Sequence, residues 1–346
     1  MVAQSSYADP TSLCIMARSR KNLESIVITS WNILHGQLIP PNPQNSTNSP
    51  QRSKQLLTSA GQKLQQSLFS SSTGRCKGSV IALQECDFNQ LRTAKLNQVQ
   101  LIGQGAKLKN WFFAPTLIGT PGENWKKIKK PVVLSNSNLD SNLYLNVGSN
   151  VGSNVGSNVD LKDLRKNNLY GIGFATDLKV KQVHFKKLGR SLIGLPLLFP
   201  ADNGGKNRVR LIYVKDEPRI ALALELENEL TIINTHLSFV PFVNWFQLHR
   251  ISRWAKKLPG EKVLLGDLNL PANLPSKLSR WQSQIDQKTY PAWKPGIQFD
   301  YIMTRRAKNQ KIFTNFQAIA IIKLSDLKIS DHIPISARVE FKPRST

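Results

Sequence analysis

Short strand-like runs recur along the whole chain, and they restrict it to folds built on extended sheets. Ile26-Val27-Ile28 comes first, followed by Val80-Ile81-Ala82-Leu83, Ile172-Gly173-Phe174 and the stretches 209–214, 220–226 and 230–237. Val263-Leu264-Leu265, Phe299 with Tyr301-Ile302-Met303, and the stretches 318–322 and 333–339 complete the series. Runs of β-branched and aliphatic residues of this length, bounded by polar residues, read as strands. Between some of them the apolar period lengthens. Leu57, Ala60, Leu64 and Leu68 share one helical stripe, and Phe242, Trp245, Leu248, Ile251 and Trp254 another. Large aromatics at that spacing belong to a core, so the stripe with Trp245 and Trp254 is expected against a sheet. The chain therefore alternates sheet and helix, and 40% hydrophobic against 20% charged residues is a mixture that buries a substantial core.

Two segments leave this pattern. Residues 1–24 mix Ser, Arg, Lys and Asp with no sustained period and are expected to form a flexible extension. Asn146-Val147-Gly148-Ser149 repeats through Asn158-Val159, and Asn, Gly and Ser offer little apolar surface to offset ordering entropy. A mobile, low-complexity surface insertion at about 135–160 is expected there. The apolar stretch 192–199 is the one candidate for a membrane-seeking loop, and it is expected instead to pack on the sheet.

Lys and Arg number 47 against 22 Asp and Glu, a formal charge of +25 that attracts phosphate-rich polymers or anionic surfaces. Basic pairs occur at Lys126-Lys127, Lys129-Lys130, Lys256-Lys257 and Arg305-Arg306. Cys14, Cys76 and Cys86 form no CxxC pair and are odd in number, which suits a reducing compartment and a cytoplasmic location. Leu13-Cys14-Ile15-Met16-Ala17 is too short for a signal-peptide core or a membrane span, and no stable membrane association is expected.

Six segments place polar chemistry at strand ends. Asn32 follows the first strand in Ser30-Trp31-Asn32-Ile33-Leu34-His35-Gly36, and Glu85 ends the apolar run of Ile81-Ala82-Leu83-Gln84-Glu85-Cys86-Asp87. A carboxylate there is costly unless a positive charge such as a metal ion sits beside it. His236 closes the strand in Asn234-Thr235-His236-Leu237-Ser238. Asp267 and Asn269, in Gly266-Asp267-Leu268-Asn269, are two residues apart, which in an extended chain directs both to one face. Gln298-Phe299-Asp300-Tyr301-Ile302 and Ser330-Asp331-His332-Ile333-Pro334 supply another carboxylate and an adjacent carboxylate–imidazole pair.

In this order the six segments resemble the motifs of the endonuclease/exonuclease/phosphatase superfamily, from about residue 26 to residue 341. Thr289-Tyr290-Pro291-Ala292-Trp293 and Asp216-Glu217-Pro218-Arg219 are similar to segments of its bacterial members. The resemblance implies an α/β four-layer sandwich, two mixed β-sheets packed face to face with helices outside, forming one catalytic domain over residues 25–346. It implies Mg²⁺, with Mn²⁺ as substitute, held by Glu85 with help from Asn32 and with Asp331 at or near the ion. It makes Asp267 the residue that activates or orients water, Asn269 a phosphate-holding amide, and His332 a phosphate contact oriented by Asp300. His236 matches a second phosphate-contacting histidine. The implied reaction is metal-dependent hydrolysis of a phosphodiester or phosphomonoester by in-line water attack, nucleic acid being the favoured substrate, with a small phosphorylated metabolite or lipid head group, or a non-enzymatic nucleic-acid-binding relative, as the alternatives. Two departures stand out: Thr176-Asp177 replaces the Ser-Arg of many bacterial relatives, read as altering a contact beside the site, and Leu34 replaces an acidic residue of some nuclease branches.

Overall fold

The computed structural model describes residues 24–39, 50–70, 76–136, 146–147, 161–200, 209–305, 313–319 and 328–341. The expected N-terminal extension and most of the Asn-Gly-Ser repeat lie outside these residues. In chain order the elements begin with β1 (Glu24–Asn32), α1 (Pro50–Ser70), β2 (Cys76–Phe88), α2 (Gln98–Gly105) and β3 (Asn110–Gly119). The short β4 (Trp125–Lys127), β5 (Leu134–Ser135) and β6 (Asn146–Val147) precede α3 (Leu161–Lys166), β7 (Leu169–Thr176) and β8 (Val180–Gly189). Next come β9 (Leu195–Pro200), β10 (Val209–Val214), β11 (Arg219–Leu226), β12 (Leu230–His236) and α4 (Val243–Ala255). The series closes with β13 (Glu261–Asp267), α5 (Leu274–Leu278), β14 (Trp281–Ser283), β15 (Asp300–Arg305), β16 (Phe313–Ile319) and β17 (Ile335–Phe341).

Two mixed sheets carry most of these strands. The first runs β16-β17-β1-β2-β7-β3-β4, with β5 also on β3, and the second runs β14-β15-β13-β12-β11-β8-β6. Strands with both faces covered must be apolar almost throughout, and β11 and β12 are buried at every position. One core lies between the sheets, joining Ile28, Ala82, Phe112 and Phe174 of the first to Phe185, Leu222, Ile232 and Leu265 of the second. Leu57, Ala60 and Leu64 of α1 and Ile102 of α2 cover the outer face of the first sheet beside Ile81 and Phe113. Leu248, Ile251 and Trp254 of α4 cover the outer face of the second beside Ala223, Ile233 and Leu264. The result is the expected four-layer α/β sandwich. Asn97 caps α2 by accepting a hydrogen bond from the Gln100 N–H at 3.1 Å. Asn97→Ala is expected to lower stability by about 1 kcal/mol, read as a shifted denaturant midpoint with an unchanged slope.

Each sheet has one parallel pair of long strands at its centre, β1 with β2 and β12 with β13. Parallel neighbours end at the same edge, so Asn32 lies opposite Gln84 and His236 opposite Asp267. Antiparallel β15 starts at that edge, Asp300 opposite Asp267, and β17 starts there beside β1, Ile335 opposite Ser30. All six polar segments thereby reach one end of the sandwich. Gln84 and Asn234 tie the sheets together there: Gln84 Nε2 donates to Asn234 Oδ1 at 2.7 Å, and Asn234 Nδ2 donates to the carbonyls of Leu83 and Gly173.

The structure corrects three expectations. The stripe on α4 is only half buried, because Trp245 is 42% exposed and Phe242 82%. Successive i+3 steps drift by about 60° around a helix, so a stripe written in threes rotates its first members off the sheet. Leu192 and Ile193 do not pack on a sheet either, being 92% and 70% exposed. β9 pairs with β10 in a two-stranded ribbon separate from both main sheets. Thr176 and Asp177, finally, sit opposite the start of β2, where Thr176 Oγ1 donates to the Ser79 carbonyl and Asp177 accepts from the Ser79 N–H. That is the end of β2 away from Glu85, so they do not border the site.

Candidate active site

Glu85 occupies a break in the register between β2 and β7, at positive φ (+55°). A bulge re-aims side chains, and here the carboxylate meets the end of the other sheet. Asn32 is buried between two acids: its Nδ2 donates to Glu85 Oε1 and to Asp267 Oδ2, each at 3.0 Å, while its Oδ1 accepts from the Leu34 N–H at 3.1 Å. One amide thus holds together a carboxylate from each sheet that would otherwise repel. Gly266 lets β13 approach β12: a Cβ there would fall 1.9 Å from the Thr235 carbonyl oxygen. Asp267 follows, buried, with Oδ1 accepting from the Asn269 N–H at 2.9 Å.

Both histidines face Asp267 Oδ2, His236 Nε2 at 3.5 Å and His332 Nε2 at 3.7 Å. Their environments are opposite. His332 Nδ1 lies 2.7 Å from Asp300 Oδ2. Burial alone would discharge this imidazole, but Asp300, Asp267 and Asp331 push its pKa up to about 10. Its ring packs 5.1 Å from Tyr290, and its backbone carbonyl accepts from Trp31 Nε1 at 3.0 Å. His236 is held neutral by burial, reinforced by the charges of Arg219 and His332. Arg219 Nη1 donates to His236 Nδ1 at 2.8 Å, which leaves Nε2 carrying the proton and directed into the site. The Asn269 amide nitrogen lies 3.3 Å from that Nε2 and donates to the Leu237 carbonyl at 3.0 Å.

Asp267 has its pKa raised to about 7 by burial, against the opposing pull of His332. Asp331 is raised to about 6, again chiefly by burial, and its Oδ1 is buried with no hydrogen-bond partner. All eight positions singled out from the sequence therefore sit at one end of the sandwich. Arg219 was not among them, although Asp216-Glu217-Pro218-Arg219 stood out as a segment. It is buried, with its other hydrogen bond going to Asp216 at 3.5 Å, and it shares a small cleft with Glu85, Tyr170 and His236.

The donor set suits a hard divalent cation. Glu85 and Asp331, whose Oδ1 is buried without a hydrogen-bond partner, offer carboxylate oxygens, the ligands Mg²⁺ takes. Asp267, Asp300 and His332 also bring ligating atoms within 4.8 Å of one another. That group is the poorer host, because the imidazole is already engaged with Asp300.

A family model described as the Endonuclease/Exonuclease/phosphatase family matches residues 29–332. The chain belongs to this family. It is thereby placed among metal-dependent phosphoesterases. Solved structures with the same overall likeness include a family protein from Bacteroides thetaiotaomicron, 12% identical over 92% of this chain and 96% of that one, with a TM-score of 0.48. A mannosyl-6-phosphatase of the same organism is 12% identical over 91% and 99%, TM-score 0.46. D. rerio TDP2 complexed with a single-strand DNA product is 15% identical over 92% and 98%, TM-score 0.46. None of the curated proteins compared with the chain matches it.

Proposed function

We propose that this member of the family is a Mg²⁺-dependent phosphodiester hydrolase acting on nucleic acid by in-line attack of water, with residues 25–346 as one catalytic unit. The observation that carries the reading is the buried Asp267 carboxylate set between a charged and a neutral imidazole. Bound near Glu85 and Asp331, with Asn32 orienting the acids, the ion would neutralise charge gathering on phosphate oxygens. Asp267 Oδ2 takes the proton of the attacking water, for which a pKa near neutrality is suited. His332, kept charged and aligned by Asp300, stabilises negative charge on the phosphate, and the Asn269 amide holds another oxygen. His236 steadies the departing oxygen with a hydrogen bond from its Nε2–H, its tautomer set by Arg219, and that oxygen takes its proton from water.

The charge of +25 supports a polyanionic substrate over a small one. A cytoplasmic setting is supported by the free thiols of Cys76 and Cys86. Among the described residues no helix is long and apolar enough to cross a membrane. The test is a panel of single- and double-stranded DNA and RNA with small phosphomonoesters and diesters, run with Mg²⁺ and with chelator. Chelator-sensitive cleavage of a polynucleotide is expected. Turnover of small esters alone would reject the nucleic-acid reading, and activity indifferent to chelator would reject the metal.

A further inference from the structure

The first turns of α4 present aromatic rings to solvent at the edge of the site. Asn244 Nδ2 donates to the backbone carbonyl of Asn269 at 2.8 Å, which anchors the helix start directly to the phosphate-holding segment. On the outer face beside that anchor, Trp245 and Phe246 are 42% and 57% exposed, and Phe242 more so. Phe242 is also held at a φ of +65°. A non-glycine residue there is strained and persists where surroundings or function demand it. Further along the same face come Arg250 and Arg253, with Lys257 just past the helix end, clustered with Lys186 of β8. These three cations, after partial burial, hold the Lys186 ammonium below its ordinary pKa. Such crowding opposes folding and is relieved when a polyanion binds.

We infer that the outer face of α4 is a track for single-stranded nucleic acid, with Phe242, Trp245 and Phe246 stacking bases next to the cleavage site and Arg250, Arg253 and Lys257 holding phosphates beyond it. The inference rests on the nucleic-acid reading above and extends it to the strandedness of the substrate. Rings that stack need unpaired bases, and a groove combining exposed aromatics with cations is the usual single-strand design. A helix that lies on a lipid surface carries its rings on one face and its cations on the opposite one. Here they follow one another along the helix axis, Trp245 and Arg253 being eight residues apart, or about 12 Å at 1.5 Å per residue. A chain of alternating bases and phosphates meets that succession.

The experiment measures anisotropy of a labelled oligothymidylate with chelator present, so that nothing is cleaved, across a salt series. Trp245→Ala combined with Phe246→Ala should weaken binding about tenfold or more. Arg253→Glu combined with Lys257→Glu should weaken it and also flatten its salt dependence. Thermal melts of both variants establish that they are folded. A duplex should compete less well than the single strand for the wild-type protein. Binding unchanged in both folded variants would overturn the track, as would binding of phosphatidylserine vesicles that needs these residues when oligonucleotide binding does not. Turnover of bis-p-nitrophenyl phosphate by the wild-type protein separates the two ideas. Helix-dependent binding without any Mg²⁺-dependent turnover rejects the hydrolase and keeps the track, whereas turnover with helix-independent binding does the reverse.

Discussion

His332→Ala lowers turnover by about 10²- to 10⁴-fold, the size of effect expected for loss of a charge-stabilising or acid–base group, and leaves the Mg²⁺ requirement where it was. The imidazole is held by Asp300 at 2.7 Å and approaches Asp267, and in the proposed mechanism it meets the phosphate and not the ion. Glu85→Gln fails in the other way. Its carboxylate is offered to the cation, so the Mg²⁺ concentration for half-maximal activity should rise at least as much as on losing an outer-shell partner, about 10- to 100-fold, and excess metal should restore part of the rate. Activity titrated against Mg²⁺ for the wild type and both variants reads the two effects separately. Wild-type turnover in His332→Ala, or an unmoved Mg²⁺ midpoint in Glu85→Gln, would remove the corresponding role.

Arg92→Met should cost about 3 kcal/mol of stability, the low end of what breaking a buried ion pair from one side costs, because the Arg92 side chain is 28% exposed. Asp87 is fully buried two residues past Glu85 and takes both guanidinium bonds of Arg92 at 2.8 Å, with a third from Thr93 Oγ1 at 3.2 Å. Burial already lifts the Asp87 carboxyl above its ordinary pKa, and Arg92 is what draws it back. Without the arginine the folded-state pKa climbs further above the unfolded value near 4. A group raised in that direction costs nothing below the unfolded pKa and destabilises progressively as pH rises through the folded one. The deficit of Arg92→Met is therefore largest at neutral pH and shrinks as pH falls toward about 4. Denaturant melts across that range measure it, and equal midpoints for variant and wild type at neutral pH would show that the pair contributes nothing.

Much of the sandwich was legible because strands buried on both faces must be written largely in aliphatic residues, as β11 is from Ile220 to Leu224. The polar residues at their ends were legible for a related reason. A carboxylate two residues past Ile81-Ala82-Leu83 or Val263-Leu264-Leu265, as Glu85 and Asp267 are, gains nothing from an apolar setting, and its position points to chemistry. Arg219 escaped notice because its meaning is non-local. It opens β11, and only the antiparallel register that sets Ala221 against Thr235 brings it to the imidazole of His236. The bridge from Gln84 to Asn234 spans 150 residues and is equally silent in the chain. Periodicity located α4 correctly but misjudged its outer face, because apolar spacing does not say where a helix leaves its sheet. Thr176-Asp177 was misplaced for the complementary reason: adjacency in a motif says nothing about which end of a strand it occupies.

β1 lies between β2 and β17, the first and the last of the described strands side by side. Asn32 is tied to Asp267 across 235 residues and through its carbonyl to Ser330 across 298. A ribosome adding about 5–20 residues per second leaves β1 waiting roughly 15–60 s for its final neighbour. Through that interval the growing chain owns Glu85 without Asp267, and then Asp267 without His332. Whatever this protein hydrolyses, a chain that ends before Asp331 lacks two of the eight residues proposed to act on it.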